Sequence, residues 1–437
     1  MFSKQDAKNI VDKVFAKTSY YATIVIDGNE KNTTRFANSE INQNVSITDT
    51  NLTLTLHDGK KSARCTGNVL TDEGISALLS SAEDMLKIVP DGEYPAFEFS
   101  IEQTAENMPS GKLFEEFAIE KRAHLIKEGV SSIHSGFNGA GALNLNRNVL
   151  TVASSSGGFR YSAYDYVDFN VVVTHEDGTA GSGKACSYTS APDIMAQIAK
   201  AQATAKAARG AVSPKLGAHT VVLSPNAFAD LVFFMCYMLN AKSVIDGVSF
   251  ATGKLGQKVF GENFTVFDAV GHAELMPLSF DLEGNPKRPL VLVEHGVIKS
   301  LAYDNASAKK LGAKPTGHCF ALGQGGYPMH ICINGGDKSL DEIIAQTNKG
   351  VFINEFHYTN FTNPRSLQLT GLTRNGAFLI EGGKLTKPLE TVRFTQSLID
   401  AFKSITAISS ERKLVPGYVA SLIPGVRIEN FHFTSKA

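Results

Sequence analysis

The stretch Tyr166-Val-Asp-Phe-Asn-Val-Val-Val173 decides the fold class of this 437-residue chain. It has the period of two that is typical of a β-strand with one face against a core. The residues around it, 131–189, are rich in Gly, Ser, Tyr and Val. This composition predicts a multi-stranded antiparallel sheet in the first half of the chain.

Helical patterns flank this predicted sheet. In residues 4–17, the apolar residues Ile10, Val11, Val14 and Phe15 recur at the spacing of one helix face. Short alternating segments at 22–26 and 52–56 predict strands, and Asp58-Gly-Lys-Lys61 predicts the turn after the second of them. The further predicted helices are residues 72–89, 113–128 and 192–209.

The sequence pattern changes after Gly210, where short predicted strands alternate with Gly-rich loops. The predicted strands there are 219–223, 290–293, 351–356, 377–380 and 426–433. The predicted fold is therefore α+β, with an N-terminal α/β half of antiparallel sheet and flanking helices and a β-rich C-terminal domain. A hydrophobic core stops growing at roughly 250 to 300 residues, so two domains are expected, 1–210 and 211–437, with a sub-boundary near 90–112.

Charge and composition exclude several classes of protein. The 42 basic and 43 acidic residues leave a net charge of -1. The chain therefore lacks the excess of positive charge that is typical of proteins that bind duplex nucleic acid. The longest apolar run, 231–239, is too short to span a membrane, and the polar N-terminus does not resemble a secretory signal. We expect a cytoplasmic protein with reduced thiols, because its cysteines are few and scattered. They are Cys65, Cys186, Cys236, Cys319 and Cys332.

Two Gly-rich stretches invite a nucleotide-binding interpretation and do not support it. In Gly247-Val-Ser-Phe-Ala-Thr-Gly-Lys-Leu255 the glycines are one residue too far apart, and Leu255 stands where a phosphate-binding loop needs Ser or Thr. Gly136-Phe-Asn-Gly-Ala-Gly141 lacks the order of strand, glycines and helix that a dinucleotide site requires, and predicts a strand-bending loop.

Candidate catalytic and metal-binding motifs are sparse. None of the eleven histidines belongs to a His-Glu-x-x-His pair, and no Gly-x-Ser-x-Gly turn occurs. Ser154-Ser-Ser-Gly-Gly158 comes nearest to that turn and predicts a hairpin loop. One alternative metal cluster is left open, against the plainer interpretation of ordinary buried side chains on adjacent strands. Its members are His318, Cys319, His330 and Cys332.

Several segments together resemble the TldD/PmbA family, whose members are often called modulators of DNA gyrase. The most specific is Glu294-His-Gly-Val-Ile-Lys-Ser-Leu-Ala-Tyr-Asp304, followed by 305–312 and Pro315-Thr-Gly-His318. Residues 34–43, 67–74 and 370–383 resemble further strands and turns of the family. The likeness covers nearly the whole chain and is greatest to the PmbA/TldE branch.

In the TldD branch, the resemblance implies zinc ligands in a His-Glu-x-x-x-His helix and a Cys before a late strand. Here Val221-Val-Leu223 matches the preceding strand, and Ser224-Pro225 provides an N-cap and a first helical residue. Phenylalanine has no donor atom, a thioether is a poor zinc ligand, and a guanidinium cannot bind a cation. The ligand positions are occupied by Phe233, Phe234, Met238 and, within a residue or two, Arg374.

The resemblance therefore implies a non-catalytic subunit of a cytosolic TldD-type zinc metallopeptidase complex, involved in peptide processing and proteolysis. We assign no catalytic residue, metal or cofactor to this chain and expect zinc in a TldD-like partner, with which it would form a heterodimer. The peptide substrate would be held extended by strand pairing at a sheet edge.

Two alternatives stay open. One is a stand-alone, homodimeric peptide-binding or assembly module without hydrolytic activity. The other is an independent hydrolase that uses other residues with neighbouring carboxylates, for which the candidates are His318, His330, His357 and His432. We expect no direct contact with nucleic acid or membrane under any of these hypotheses.

Overall fold

The computed structural model describes residues 2–92 and 104–436. Its helices are α1 Lys4–Ala16, α2 Asp72–Ile88, α3 Lys112–Glu116, α4 Ile119–Ser131, α5 Ile194–Ala207, α6 Pro225–Tyr237, α7 Ala241–Ile245, α8 Asn305–Lys310, α9 Leu340–Ala345 and α10 Leu398–Lys403. The strands of the first half are β1 Tyr21–Ala37, β2 Glu40–Asp58, β3 Lys61–Gly67, β4 Phe137–Ser154, β5 Phe159–His175 and β6 Ala180–Ser187. Those of the second half are β7 Gly217–Leu223, β8 Val266–Asp268, β9 Leu290–Glu294, β10 Val297–Ile298, β11 Ile331–Ile333, β12 Lys349–Asn363, β13 Gln368–Glu381, β14 Lys384–Pro388, β15 Val392–Ser397, β16 Ile405–Val415 and β17 Ser421–Lys436. The predicted α+β class is confirmed.

The N-terminal sheet has six antiparallel strands in the order β3-β2-β1-β4-β5-β6. The quoted stretch 166–173 lies in β5, where Val167, Phe169, Val171 and Val173 are all fully buried. Residues 154–158 form the predicted hairpin loop, with Ser154 N donating to Gly158 O. Residues 136–141 are not a strand-bending loop as predicted, because β4 begins at Phe137 and continues through the glycines.

Helices cover one face of this sheet in two groups. Helices α1 and α2 pack on β1, β2 and β3, and helices α4 and α5 pack on β4 and β5. Helix α5 approaches β6 closely because Gly181 and Gly183 have no Cβ; a Cβ at Gly181 would lie 2.1 Å from Ala201 O. The opposite sheet face is left to contact the second half of the chain.

The single helix predicted over 113–128 is two helices, α3 and α4, and that prediction is corrected here. Phe117 leaves helical geometry with φ -112° and ψ 35°, and its side chain is buried. The buried Arg122 Nη1 donates to Phe117 O at 2.7 Å, and its Nε donates to Thr34 Oγ1. These contacts satisfy a carbonyl that a continuous helix would have paired internally.

The second half is built on one large sheet. Strands β17, β15, β13, β12 and β7 are paired in that order, and β7 also pairs with β17, so these five strands close into a ring. The short strands β11, β8, β9 and β10 extend the sheet from β17. Helix α6 packs on β12, β16 and β17 at the side of this ring.

Aromatic side chains fill the core behind α6. Phe228 is fully buried, with its ring centroid 5.5 Å from Phe402 and 6.3 Å from Phe264. Phe260 lies within 6 Å of both of those partners. Such offset and edge-to-face pairs add to the stabilisation from burying the rings, so the inner face of α6 is fixed by packing.

The two halves meet on the free face of the N-terminal sheet. Val25, Leu150 and Val152 pack there against Phe280 of the second half. The boundary at 210/211 stays a prediction, and residues 93–103 of the predicted sub-boundary near 90–112 lie outside the described residues. No helix in the described part of the chain is long and apolar enough to cross a membrane.

Candidate functional site

Helix α6 carries two of the four positions at which the family resemblance places zinc ligands, Phe233 and Phe234, and Met238 follows it as the C-cap. Its start is fixed by Ser224, whose Oγ accepts from Ala227 N and donates to the carbonyl of Asn354 on β12. Pro225 occupies the first turn of α6. Backbone N–H groups in the first turn have no intrahelical acceptor, so the N–H that proline lacks is not needed there. The sequence prediction of a helix after Ser224-Pro225 is confirmed.

Phe233 and Phe234 make aromatic contacts at the outer end of α6. The Phe233 ring centroid lies 5.9 Å from Tyr418, and the Phe234 ring meets Phe361 edge to face at 4.9 Å. Both side chains are half-buried. Two positions where a zinc site would present imidazole and carboxylate therefore present hydrocarbon.

Met238 and Arg374 lie in different surroundings. Met238 ends α6 and is buried in the C-terminal core, whereas Arg374 is exposed on β13 opposite Glu355. Neither supplies a carboxylate, imidazole or thiolate, so this set of side chains does not fit zinc. No group of three or more His, Cys, Asp or Glu that could hold a metal ion occurs within 2–92 and 104–436.

A cavity of about 350 Å³ opens beside these phenylalanines, and we call it the aromatic cleft. Its rings are those of Phe233, Tyr237, Phe320, Tyr327 and Tyr418. Tyr418 is 73% exposed at the mouth, 5.8 Å from Phe320, and Tyr237 lies 5.1 Å from Tyr327. Exposed, clustered aromatic side chains are typical of a binding surface.

A second cavity, of about 320 Å³, adjoins the aromatic cleft and shares Phe233 and Tyr418 with it. We call it the polar cleft, because Lys184, Asp230 and His357 line it. Lys184 comes from β6, Asp230 from α6 and His357 from β12. The two clefts together form one concave surface at the junction of the two halves.

A hydrogen-bonded cluster around Glu355 supports the polar cleft. The Glu355 carboxylate is buried; it lies 3.1 Å from Lys184 Nζ and accepts from Ser182 Oγ at 2.9 Å. Its other oxygen accepts from Asn375 Nδ2 at 2.6 Å. Lys413 Nζ donates to Lys184 O at 2.8 Å, and burial lowers the pKa of Lys413 to about 8. The cluster joins β6 to β12, β13 and β16 and holds Lys184 in place.

Asp230 is the acidic group that lines the polar cleft. Burial raises its pKa to about 7, although Lys184 acts in the opposite direction. Partial burial lowers the pKa of His357, and Arg374 contributes to this shift. A carboxyl group that titrates near neutral pH in a cavity can bind or exchange a proton with a ligand.

The predicted alternative metal cluster comes only partly together. His318 Nε2 and His330 Nδ1 each lie 3.3 Å from Asp268 Oδ1, although none of these three buried atoms has a partner in hydrogen-bond geometry. Burial would raise the pKa of Asp268, but the two histidines offset burial and hold it well below its usual value. The other oxygen accepts from Met329 N and His330 N.

The two cysteines of that prediction lie elsewhere. Cys319 has its pKa raised well above the usual value by burial and by the nearby Glu283 and Asp281. Cys332 Sγ accepts from Arg412 Nη1 at 3.0 Å. His318 and His330 therefore meet an aspartate from β8 and not their neighbouring thiols. All four side chains are buried, as in the plainer interpretation, but of the four only Cys332 lies within a strand, β11.

Of the four histidines proposed for a hydrolase, His357 lines the polar cleft. His318 and His330 are fully buried, and His432 N donates to Gln396 Oε1. Sequence reasoning missed Asp230, Lys184 and Glu355, since they come from three separate elements. The position of Asp230 one turn before Phe233 was the available signal.

The comparisons with known proteins agree with this architecture. Residues 216–435, half of the chain, match the family model described as the PmbA/TldA metallopeptidase C-terminal domain. A metalloprotease of Methanothermobacter thermautotrophicus is 24% identical over 260 residues, which are 57% of this chain and 57% of that relative. The chain thus matches little more than half the length of that relative.

Two solved structures share the fold over nearly the whole chain. TldE from Thermococcus kodakarensis superposes with a TM-score of 0.84 at 20% identity and covers 98% of this chain and 99% of its own. A candidate modulator of a DNA gyrase from Thermotoga maritima gives a TM-score of 0.85 at 19% identity and covers 98% and 100%.

Proposed function

The chain belongs to the PmbA/TldD family of metallopeptidases, and from this premise we propose that it is a non-catalytic, TldE-like subunit of a TldD-type zinc metallopeptidase complex that processes peptides. The observation that supports this proposal is that packed apolar side chains occupy the positions of α6 where the family resemblance places zinc ligands. Phe233 and Phe234 offer no donor atom and instead build the wall of the aromatic cleft.

The clefts support a role in holding peptide. An aromatic wall next to Lys184 and Asp230 offers contacts for apolar side chains and for a polar main chain in one place. Among the described residues β3 is an edge strand, which is the kind of strand that strand addition uses, and three of its residues border further cavities at the same junction. These residues are Ser62, Arg64 and Thr66.

Hydrolysis would then belong to a TldD-like partner that carries the zinc, and this chain would shape the shared substrate cavity. We place the complex in the cytoplasm and propose no direct contact with nucleic acid, in keeping with a net charge of -1.

The testing experiment measures zinc content and peptidase activity of three samples: the purified chain, a TldD-type protein from the same cell, and their mixture. We expect less than stoichiometric zinc and no hydrolysis in the chain alone, with a stable complex and the highest activity in the mixture. One zinc per chain together with hydrolysis by the chain alone would overturn the proposal. A Phe233→Ala variant in the mixture tests the cleft, since it should raise KM while zinc content stays unchanged.

A stand-alone peptide-binding module is the second candidate, because this chain already places exposed aromatic rings next to Lys184 and Asp230. The mass of the complex, measured by light scattering, distinguishes the two candidate functions. A homodimer that binds peptide and ignores a TldD-type protein would favour the module, whereas a mixed heterodimer would favour the accessory subunit.

A further inference from the structure

A larger cavity, of about 540 Å³, lies where the free face of the N-terminal sheet meets the second half, and we call it the junction chamber. The sheet contributes Val25 and Leu150, and the second half contributes Met276, Leu278 and Phe280. This volume is within the usual range of small-molecule sites. The chamber is separate from the two clefts over α6, although Phe320 lines both it and the aromatic cleft.

Lys287 is the unusual residue of the junction chamber. Its side chain lines the cavity with a residue exposure of 9%. Within the described residues, its ammonium group takes part in no hydrogen bond or ion pair. Burial lowers the pKa of Lys287, although Asp268 and Asp281 act in the opposite direction. A buried cation without a hydrogen-bond partner is costly, and an anionic ligand would offset that cost.

Arg64 supplies a second cation at the chamber. Its Nη1 donates to Leu322 O at 2.9 Å, and its Nε donates to Thr55 Oγ1 at 3.4 Å. These two bonds fix the guanidinium between the junction chamber and a neighbouring cavity of about 580 Å³ that it also lines. A guanidinium held in this way is well suited to a carboxylate.

The two acidic side chains that line the chamber, Asp27 and Asp281, have hydrogen-bond partners of their own. Both oxygens of Asp281 are already engaged: Oδ1 accepts from Glu283 N and Asn285 N, and Oδ2 accepts from Cys319 N at 3.0 Å. Asp27 is exposed and accepts from Asn51 Nδ2. Partial burial of Asp27 and full burial of Asp281 raise the pKa of both carboxyl groups.

The remaining lining favours a peptide over a simple fatty acid. Thr53 and Thr66 of the sheet present a polar row whose hydroxyls lie 2.9 Å apart, and Asn29 and Asn148 form a second polar pair at 2.8 Å. Such groups can bond a peptide main chain, whereas an alkyl chain would leave them desolvated. The edge strand β3, which carries Arg64 and Thr66, runs beside the chamber.

We propose that the junction chamber binds the C-terminal carboxylate and apolar last side chain of a short peptide, with Lys287 and Arg64 as the groups that recognise the carboxylate. This inference rests on the proposed function, because it takes peptide as the ligand. It adds to that function a subsite that recognises the free C-terminus of the peptide substrate or product. The apolar side chain packs against Met276, Leu278 and Phe280.

The test compares binding of acetyl-Ala-Ala-Ala-Ala-Leu as the free acid and as the C-terminal amide, by calorimetry on the full chain. We expect the acid to bind on the order of tenfold more tightly than the amide, as for a hydrogen bond to a charged group. In Lys287→Met, which keeps the length of the side chain, the acid should bind no better than the amide. In Lys310→Met, which changes an exposed lysine of α8, the preference should be unchanged.

The outcomes separate this inference from the proposed function. Equal binding of acid and amide by the unaltered chain, or a preference that persists in Lys287→Met, would overturn the subsite. Tighter binding of decanoate than of the peptide acid would also overturn it. In each case the zinc content and activity of the mixture with a TldD-type protein decide the accessory-subunit proposal independently.

Discussion

The Nζ of Lys184 lies 3.1 Å from Oε2 of Glu355, and this ion pair joins the N-terminal sheet to the C-terminal ring of strands. The exposed pair Lys299–Glu294 has the same separation of 3.1 Å. The glutamate side chain is 7% exposed in the first pair and 45% in the second. The two pairs therefore differ in burial and in the hydrogen bonds that Glu355 accepts from Ser182 and Asn375.

We predict that Glu355→Gln lowers the free energy of unfolding by about 2–3 kcal/mol, because it removes a buried charge that Lys184 and two neutral donors depend on. Glu294→Gln should change it by less than about 0.5 kcal/mol, as expected of a solvent-screened pair. Urea denaturation of both variants measures the difference. Equal effects would mean that the Glu355 cluster does not stabilise the junction.

Asp230 should make stability fall as pH rises. Its pKa is about 7 in the folded chain and about 3.9 in an unfolded one, so the folded state holds the proton more tightly between these values. The stability that protonated Asp230 contributes is therefore fully present below about pH 4 and is lost as the pH rises to about 7. We predict that Asp230→Asn raises the free energy of unfolding at pH 8 by about 1–2 kcal/mol, discounted for partial exposure.

At pH 4 the same substitution should have a much smaller effect, since the carboxyl group is then protonated in the folded state and about half protonated in the unfolded state. Denaturation at pH 4 and pH 8 measures this, with Asp58→Asn in an exposed turn as the comparison. A gain of the same size at both pH values would show that burial of charge is not the cause.

Local sequence signals predicted where α6 begins. The convergence of side chains from other elements around α6 could not be predicted from the sequence. Ser224 and Pro225 are a cap and a first-turn residue, so adjacent letters of the sequence encode the start of the helix. Lys184, Asp230 and Glu355 come from β6, α6 and β12, and no spacing along the chain signals that they meet. The fourth ligand position was matched through the late strand at Ala377, which placed it at Arg374 only within a residue or two.

The same contrast applies to the histidines. His318 and His330 were grouped with Cys319 and Cys332 because these residues are close in sequence. The structure instead places them on Asp268, which belongs to a three-residue strand about fifty residues upstream of His318. Such a short strand has no periodicity to read, and the pairing of β8 with β11 that brings Asp268 to His330 is a tertiary contact.

The two faces of α6 should respond differently to loss of an aromatic ring. Phe228 is fully buried among Phe264 and Phe402, so Phe228→Ala should lower the free energy of unfolding by about 3–5 kcal/mol. Phe233 is half-buried in the cleft wall, so Phe233→Ala should cost less than about 2 kcal/mol and weaken peptide binding instead. Denaturation and calorimetry on both variants check this, and unchanged peptide affinity in Phe233→Ala would count against the aromatic cleft as a binding surface.

Gly317 tests how closely the chain segments must approach to place Lys287. It has a φ of +74°, and a Cβ there would lie 2.2 Å from Pro286 O and 2.6 Å from the Cα of Lys287. Gly312 has a similar φ of +63°, but a Cβ there would meet no atom within 4 Å.

Gly312→Ala should therefore cost about 1 kcal/mol, the usual penalty of a left-handed backbone. Gly317→Ala must also move the Lys287 backbone, so it should cost more than about 2 kcal/mol and reduce the preference for the peptide acid over the amide. Denaturation gives the first difference and calorimetry the second. If both variants lose the same stability and keep the same preference, then Gly317 serves the backbone angle alone and the position of Lys287 does not depend on that close approach.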